Sequence, residues 1–160
     1  MTVNKDITIF NCRLDKATRR NVFIPTNIHG VSFYDVRGSN VSNGDQTEKL
    51  SFTIRIPVDA RTENDRRYIE AAKYRKLADG EAEKNWTIQH GDYILAGTIA
   101  VAGEWIFDEF NFRSGVITEK EITEMLGLRK FNGDFITVVE YADNTTRGSK
   151  AVKHWRIGGA

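Results

Sequence analysis

Along most of the chain apolar residues recur with the period of two that marks half-buried strands, not the 3.6 of helices. "SFTIRIPV" is the clearest case: Phe52, Ile54 and Ile56 fall on one face, and Ser51, Thr53 and Arg55 on the other. A β-prone run over residues 7–10 comes before "NVFIPTNIHGVSFYDV", where Pro25 and Gly30 separate a second and a third run. Proline confines its strand to an edge or an end. Residues 86–101 have strand character broken by Gly91 and Gly97, and "EWIFDEFNF" supplies a further aromatic-rich strand or loop. "DFITVVEYA" and "KAVKHWRIGGA" flank the polar "DNTTRGS" at hairpin-like spacing.

Helical signals are fewer. Residues 65–82 are rich in helix formers, and Tyr68, Ile69, Ala72 and Leu77 loosely follow a helical stripe, which predicts one or two short surface helices. "TEKEITEMLG" is better marked: Thr118 caps, Glu121 completes a capping box, Ile122, Met125 and Leu126 form the apolar face, and Gly127 stops the helix. It is predicted to pack on a sheet. Between the third run and "SFTIRIPV", the polar "RGSNVSNGDQTEKL" predicts a long mobile loop over residues 38–49. The pattern as a whole predicts one β-rich α+β domain over residues 1–160: a small antiparallel β-barrel or sandwich with a long polar loop and one or two short helices.

Composition narrows the chemistry. Lys and Arg (23) nearly balance Asp and Glu (22) over 160 residues, a formal charge of +1, so the chain as a whole has no strong attraction to nucleic acid or anionic lipid. A single cysteine, Cys12, excludes an internal disulfide and a cysteine-based zinc cage, and suits a reducing compartment. The N-terminal pattern is not that of a signal peptide and no apolar run is long enough to span a bilayer, so cytoplasmic synthesis without a membrane is expected. N-x-[ST] triplets at Asn40, Asn85 and Asn144 are discounted, since glycosylation requires secretion.

Candidate chemistry is sparse. His90 and Asp92 could contribute two metal ligands, but Gly91 between them is turn chemistry, and Trp86, Ile88 and Ile94 supply strand ends on either side. The turn of a hairpin is the better reading. His29, His90, His154 and Cys12 lie in no nucleophile signature, and no phosphate-binding glycine loop occurs. Asp108, Glu109, Glu119, Glu121 and Glu124 read as solvated acids. No cofactor, catalytic residue or metal ligand is expected. The segment Arg147, Lys150, Lys153, His154 and Arg156 around Trp155 could track a phosphate backbone and stack a base. The alternative is an edge strand guarded by cations, with Trp155 and Ile157 in the core, and the balanced overall charge favours it.

Three segments, "KDITIFNCRLDKATRRNVFIPTNIHGVSFYD", "WTIQHGDYILAG" and "VVEYADNTTRGSKAVKHWRIGGA", resemble a family of small structural proteins encoded by tailed phages and prophages of Gram-positive bacteria. The C-terminal "ADNTTRGSKAVKHWRIGG" carries the resemblance most specifically, and residues 61–84 match nothing in it. The spacing of Ile88, Gly91, Asp92, Ile94 and Gly97 is similar to a hairpin in head-closure proteins of the phage neck, small β-barrels that form a ring beneath the portal. The resemblance implies a non-enzymatic virion protein made in the host bacterial cytoplasm. It implies a homo-oligomeric ring as a head-tail connector, with the portal or adjacent neck and tail proteins as partners and channel DNA as a further contact. Asn40, Asn43, Asp45 and Lys49 in the polar loop, with Arg147, Lys150, Lys153 and Arg156 in the basic tail, are then the candidate interface or channel-facing residues. A tail-completion or capsid-associated protein, a nucleic-acid-binding module and a small hydrolase or metal enzyme at His90 and Asp92 are the alternatives.

Overall fold

The computed structural model describes residues 2–42, 45–62, 65–97, 105–107, 110–111, 116–129, 135–146, 148–149 and 152–160. In chain order the strands are β1 (Lys5–Leu14), β2 (Asn21–Ser42), β3 (Asp45–Pro57), β4 (Arg61–Thr62), β5 (Arg67–Tyr68), β6 (Asn85–Trp86), β7 (Tyr93–Ala96), β8 (Trp105–Phe107), β9 (Phe110–Asn111), β10 (Ile117–Thr118), β11 (Phe135–Asn144) and β12 (His154–Gly159). Three short helices accompany them: α1 (Ala71–Lys76), α2 (Asp79–Ala82) and α3 (Glu119–Arg129). Strands β1, β2, β3, β12, β11 and β7 pair antiparallel in that order, and β7 returns to β1, so the sheet closes into a six-stranded barrel. Closure pairs each of these strands on both sides over part of its length, and β10 and β4 flank β2 before it reaches β3.

The alternation in the sequence is the wall of this barrel. Ile7, Ile9, Ile28, Ile54, Ile56, Ile94, Ile136, Val138, Trp155 and Ile157 point inward and are buried, while Ser51 and Arg55 face outward. β-Branched side chains fill the narrow interior because they pack well on a pleated surface. One part of the wall is covered on its outer face as well. There Phe10, Phe23, Leu95, Ile117 and Phe135 meet Ile122 and Leu126 of α3. Thr118 caps α3 as its sequence predicts: Glu121 N donates to Thr118 Oγ1 at 3.2 Å, and Thr118 N donates back to Glu121 Oε1 at 3.3 Å. The helix runs on through Gly127 to Arg129, so Gly127 is not its stop.

Two breaks in β2 were marked in the sequence. Pro25 lies opposite Phe10, and its carbonyl accepts from Arg66 Nη1 at 2.8 Å. In an antiparallel strand a residue's N–H and C=O point the same way, so the donor that Pro25 lacks would have faced the gap between β10 and β4, not β1. Gly30, at φ +78°, sits in a bulge where Lys5 pairs with Val31 but Ile7 with Ile28. Asp6 pins the bulge by accepting the Gly30 N–H at 2.9 Å. That bond, helped by His29, holds the Asp6 carboxyl below the usual carboxylate range. Beyond the bend β2 leaves β1 and pairs with β3.

The long loop expected over residues 38–49 is absent as such. The backbone of β2 and β3 stays paired from Ser32 and Arg55 out to Ser42 and Asp45. Residues 37–42 and 45–50 pair only with each other among the described residues, forming a two-stranded ribbon that projects roughly 20 Å beyond the last rungs of the barrel. Polar composition misleads here because outside the core a ribbon needs backbone pairing but no apolar face.

The closing hairpin forms as its spacing predicts, with a bulge between Val138 and Glu140. A Cβ at Gly159 would lie 2.8 Å from the carbonyl oxygen of Thr137, which the barrel wall holds in place, whereas a Cβ at Gly158 would meet only the flexible side chain of Glu140. Gly159→Ala is therefore expected to destabilise the barrel by about 1–3 kcal/mol and Gly158→Ala by well under half as much, measured by denaturant unfolding.

Candidate functional site

Asn11 sits in an apolar strand with its side chain directed into the end of the barrel, where it is fully buried. Its amide imitates a strand neighbour: Nδ2 donates to Thr87 O at 2.7 Å and Oδ1 accepts from Thr87 N at 3.1 Å. Residues 87–92 thereby cross the barrel mouth with side-chain hydrogen bonds toward β1, while Gly91 N donates to Val138 O and Asp92 O accepts from Val138 N, both at 2.8 Å, on the β11 side. Gln89 Nε2 donates to Cys12 O at 2.9 Å, and Gln89 Oε1 accepts from Arg75 Nε at 2.9 Å. Tyr74 of α1 and Ala82 of α2 close the mouth over Ile24.

Asp92 is the hub of this seam. It is 2 % exposed, and its carboxylate accepts from Asn11 Nδ2 at 3.0 Å, Gln89 Nε2 at 2.9 Å and Cys12 N at 3.2 Å. Burial nonetheless outweighs these bonds and pushes its pKa up to about 6. The same burial, with Asp92 and Glu119 nearby, pushes the Cys12 thiol up to about 11, so the thiolate required of a nucleophile is scarce.

The turn reading of His90, Gly91 and Asp92 is correct in part. Gly91 has φ +89°, the left-handed region that glycine enters without strain, and His90 is exposed. The flanking segments do not form a hairpin, however: β6 pairs in parallel with β5, while β7 pairs with β1 and β11. Asp92 bonds within the turn through Gln89 and also reaches across to Asn11 and Cys12 of β1. No group of three metal-ligating side chains occurs among the described residues.

The predicted interface residues separate into two places. Asn40, Asp45 and Lys49 lie on the ribbon, and Lys153 lies at the opposite end of β3, where its carbonyl accepts from Val58 N at 3.1 Å. Asn43, Arg147 and Lys150 lie outside the described residues, as do Asp108 and Glu109. Arg156 is on the outer wall, 3.6 Å from Glu140, and directly opposite Arg55 on β3. The pairing with Arg55 was not foreseen, because register across strands about a hundred positions apart leaves no trace in local pattern.

Trp155 is in the core, 8 % exposed, with its ring 4.6 Å from Tyr68 and 5.3 Å from Trp86. Its strand is paired on both sides, by β11 and β3, so the guarded edge expected there is an interior stave of the barrel. No helix among the described residues is long and apolar enough to cross a membrane.

Because the folded chain holds the Asp92 proton more tightly than the unfolded chain does, its contribution to stability is complete below about pH 4 and is lost as pH rises through about 6. Stability of the parent relative to Asp92→Asn is expected to fall by on the order of 3 kcal/mol between about pH 4 and pH 7, read from denaturant unfolding across that range.

No curated protein and no solved structure matches the chain. One family model does, described as a family of unknown function, DUF6751, and it spans residues 1–160. The chain belongs to that family.

Proposed function

We propose that the protein is a non-enzymatic structural component of a tailed-phage virion, a head-tail connector of the head-closure type that assembles into a ring at the neck. The observation that carries this reading is the placement of its two candidate contact regions. A closed ring is built from heterologous contacts, in which one patch of each subunit meets a different patch of the next. The ribbon leaves one end of β3 and Lys153 marks the other, on the order of 20 Å apart along a strand that is rigidly part of the wall. Along the ribbon, residues 37–42 and 45–50 present backbone N–H and C=O groups that no third strand uses among the described residues. Such free edges suit strand addition by a neighbouring subunit or by the portal.

The resemblance in "ADNTTRGSKAVKHWRIGG" supplies the phage context, and the barrel is of the kind that resemblance implies. In this reading the protein is made in the host bacterial cytoplasm and ends in the virion, with the portal and adjacent neck or tail proteins as partners. Arg55 and Arg156 on the outer wall are suited to phosphates of channel DNA. A stand-alone nucleic-acid module is the weaker reading, because the rings of Tyr68 and Trp86 already occupy Trp155.

The test shortens the ribbon. Replacing residues 39–48 by an Asn-Gly turn is expected to leave thermal unfolding within a few degrees of the parent, since the β2–β3 pairing from Ser32 and Arg55 out to Gly38 and Lys49 is kept. The shortened chain should fail to join portal-containing heads when co-expressed with the portal, major capsid and tail-tube genes that the reading places beside its own. Undiminished incorporation of the shortened chain would overturn the role of the ribbon. Absence of the parent from the neck in a particle reconstruction would overturn the connector reading, and density at the tail or on the capsid would assign it there.

A further inference from the structure

β11 changes neighbours along its length. As far as Val138 it is bonded on its β7 side, where Val138 N donates to Asp92 O and Gly91 N donates to Val138 O. The bulge between Val138 and Glu140 then turns the strand, and residues 139–144 have β12 as their only strand neighbour among the described residues. The side chains of this stretch stand in water: Val139 is 50 % exposed and Tyr141 45 %, and Glu140, Asp143 and Asn144 are exposed with them. An edge that has to stay single commonly carries lysine or proline, and the stretch "VEYADN" has neither.

The ribbon supplies free edges of the same length, residues 37–42 on β2 and 45–50 on β3, about 20 Å each. Within one subunit the wall holds these edges away from β11. The ribbon leaves β3 beyond Phe52, whereas residues 140–144 lie beside β12 residues 154–158, which pair with β3 as far as Pro57. β12 and the body of β3 stand between donor and acceptor, so their meeting takes two copies of the chain, each using a different patch.

Charge selects the pairing. Residues 139–144 carry two acids, Glu140 and Asp143, and no cation. The β2 half of the ribbon, "RGSNVS", carries Arg37 and no acid, while the β3 half, "DQTEKL", would set Asp45 and Glu48 against them. Two β11 edges facing each other would oppose acid to acid throughout. We propose that the β2 half of the ribbon adds as a strand to residues 139–144 of β11 in a second copy of this chain. The inference rests on the ring reading, for which it names the surface that receives the ribbon. Backbone bonds supply the affinity, and Val139 and Tyr141 lose water to the incoming strand.

The full chain would be followed by sedimentation velocity up to about 1 mM, beside two variants. In one, residues 39–48 are replaced by an Asn-Gly turn, which removes the ribbon and keeps the β11 edge. In the other, Val139→Lys with Tyr141→Lys guards the β11 edge and keeps the ribbon; both side chains are exposed, so the fold is expected to hold. Thermal unfolding within a few degrees of the parent verifies each. The parent is expected to grow with concentration into a closed ring or an open chain, and each variant alone to associate at least about tenfold more weakly. An equimolar mixture of the variants should give a dimer of one copy of each and nothing larger.

Parent-like assembly of the shortened chain alone would overturn the ribbon as donor, and of the lysine variant alone β11 as acceptor. A mixture that stays monomeric would overturn their pairing. A parent that is monomeric over the whole range would overturn self-pairing and leave the connector reading, whose remaining partner for the ribbon is the portal. Head-to-tail pairing together with absence from the neck in a particle reconstruction would sink the connector reading instead and support the pairing.

Discussion

Backbone hydrogen bonding has to close on itself for this chain to fold as it does, and β2 is the strand on which closure turns. Up to Val31 it belongs to β1, and from Ser32 it belongs to β3. A straight strand could not serve both. The Gly30 bulge, pinned by Asp6, changes its direction at the point where the pairing changes, and the ring of six strands follows. The inward isoleucines stabilise the result, but they could equally line an open sandwich. The bend in β2 and the antiparallel return of β7 to β1 decide for the barrel.

At one mouth of that barrel, packing alone does not complete the structure. Of the segment from Thr87 to Asp92 only Gly91 and Asp92 bond a strand through the backbone, at Val138 of β11, and toward β1 amide and carboxyl side chains take the place of rungs. The consequence is a buried acid whose protonation state is linked to folding, and near it Arg13, whose Nε and Nη1 find no acceptor among the described residues. Interiors of small barrels are otherwise apolar, which is why this seam is where chemistry concentrates in the molecule.

What was legible in the sequence follows the same division. Residues 52–56 read correctly because one side of β3 faces the core and the other faces water, which writes a period of two into the chain. The α3 cap was legible because Thr118 and Glu121 interact over three positions. The ribbon was not, because residues 38–42 and 45–49 pair through their backbones, and backbone pairing alone writes no period into the sequence. Nor was the partner of Asp92: Asn11 lies 81 positions away, and neither residue's neighbours hint at the contact. Pro25 read as an edge residue, and in a narrow sense it is one, since its nitrogen faces the gap in the wall that Arg66 fills from the side. Arg55 escaped notice because its significance lies in standing opposite Arg156.

The position of β12 bears on how the protein is made. It is the last stave in sequence, yet it sits between β3 and β11 in the wall. Until residues 154–159 have left the ribosome, β3 and β11 cannot be bridged, and the nascent chain is an open sheet with two long unpaired margins and a hydrophobic interior facing water. Closure is thus a post-emergence event over a sequence separation of about a hundred residues between β3 and β12, the type of step that slows folding and invites self-association meanwhile. A chain of this design stays open to chaperones until its β11–β12 hairpin has swung into place.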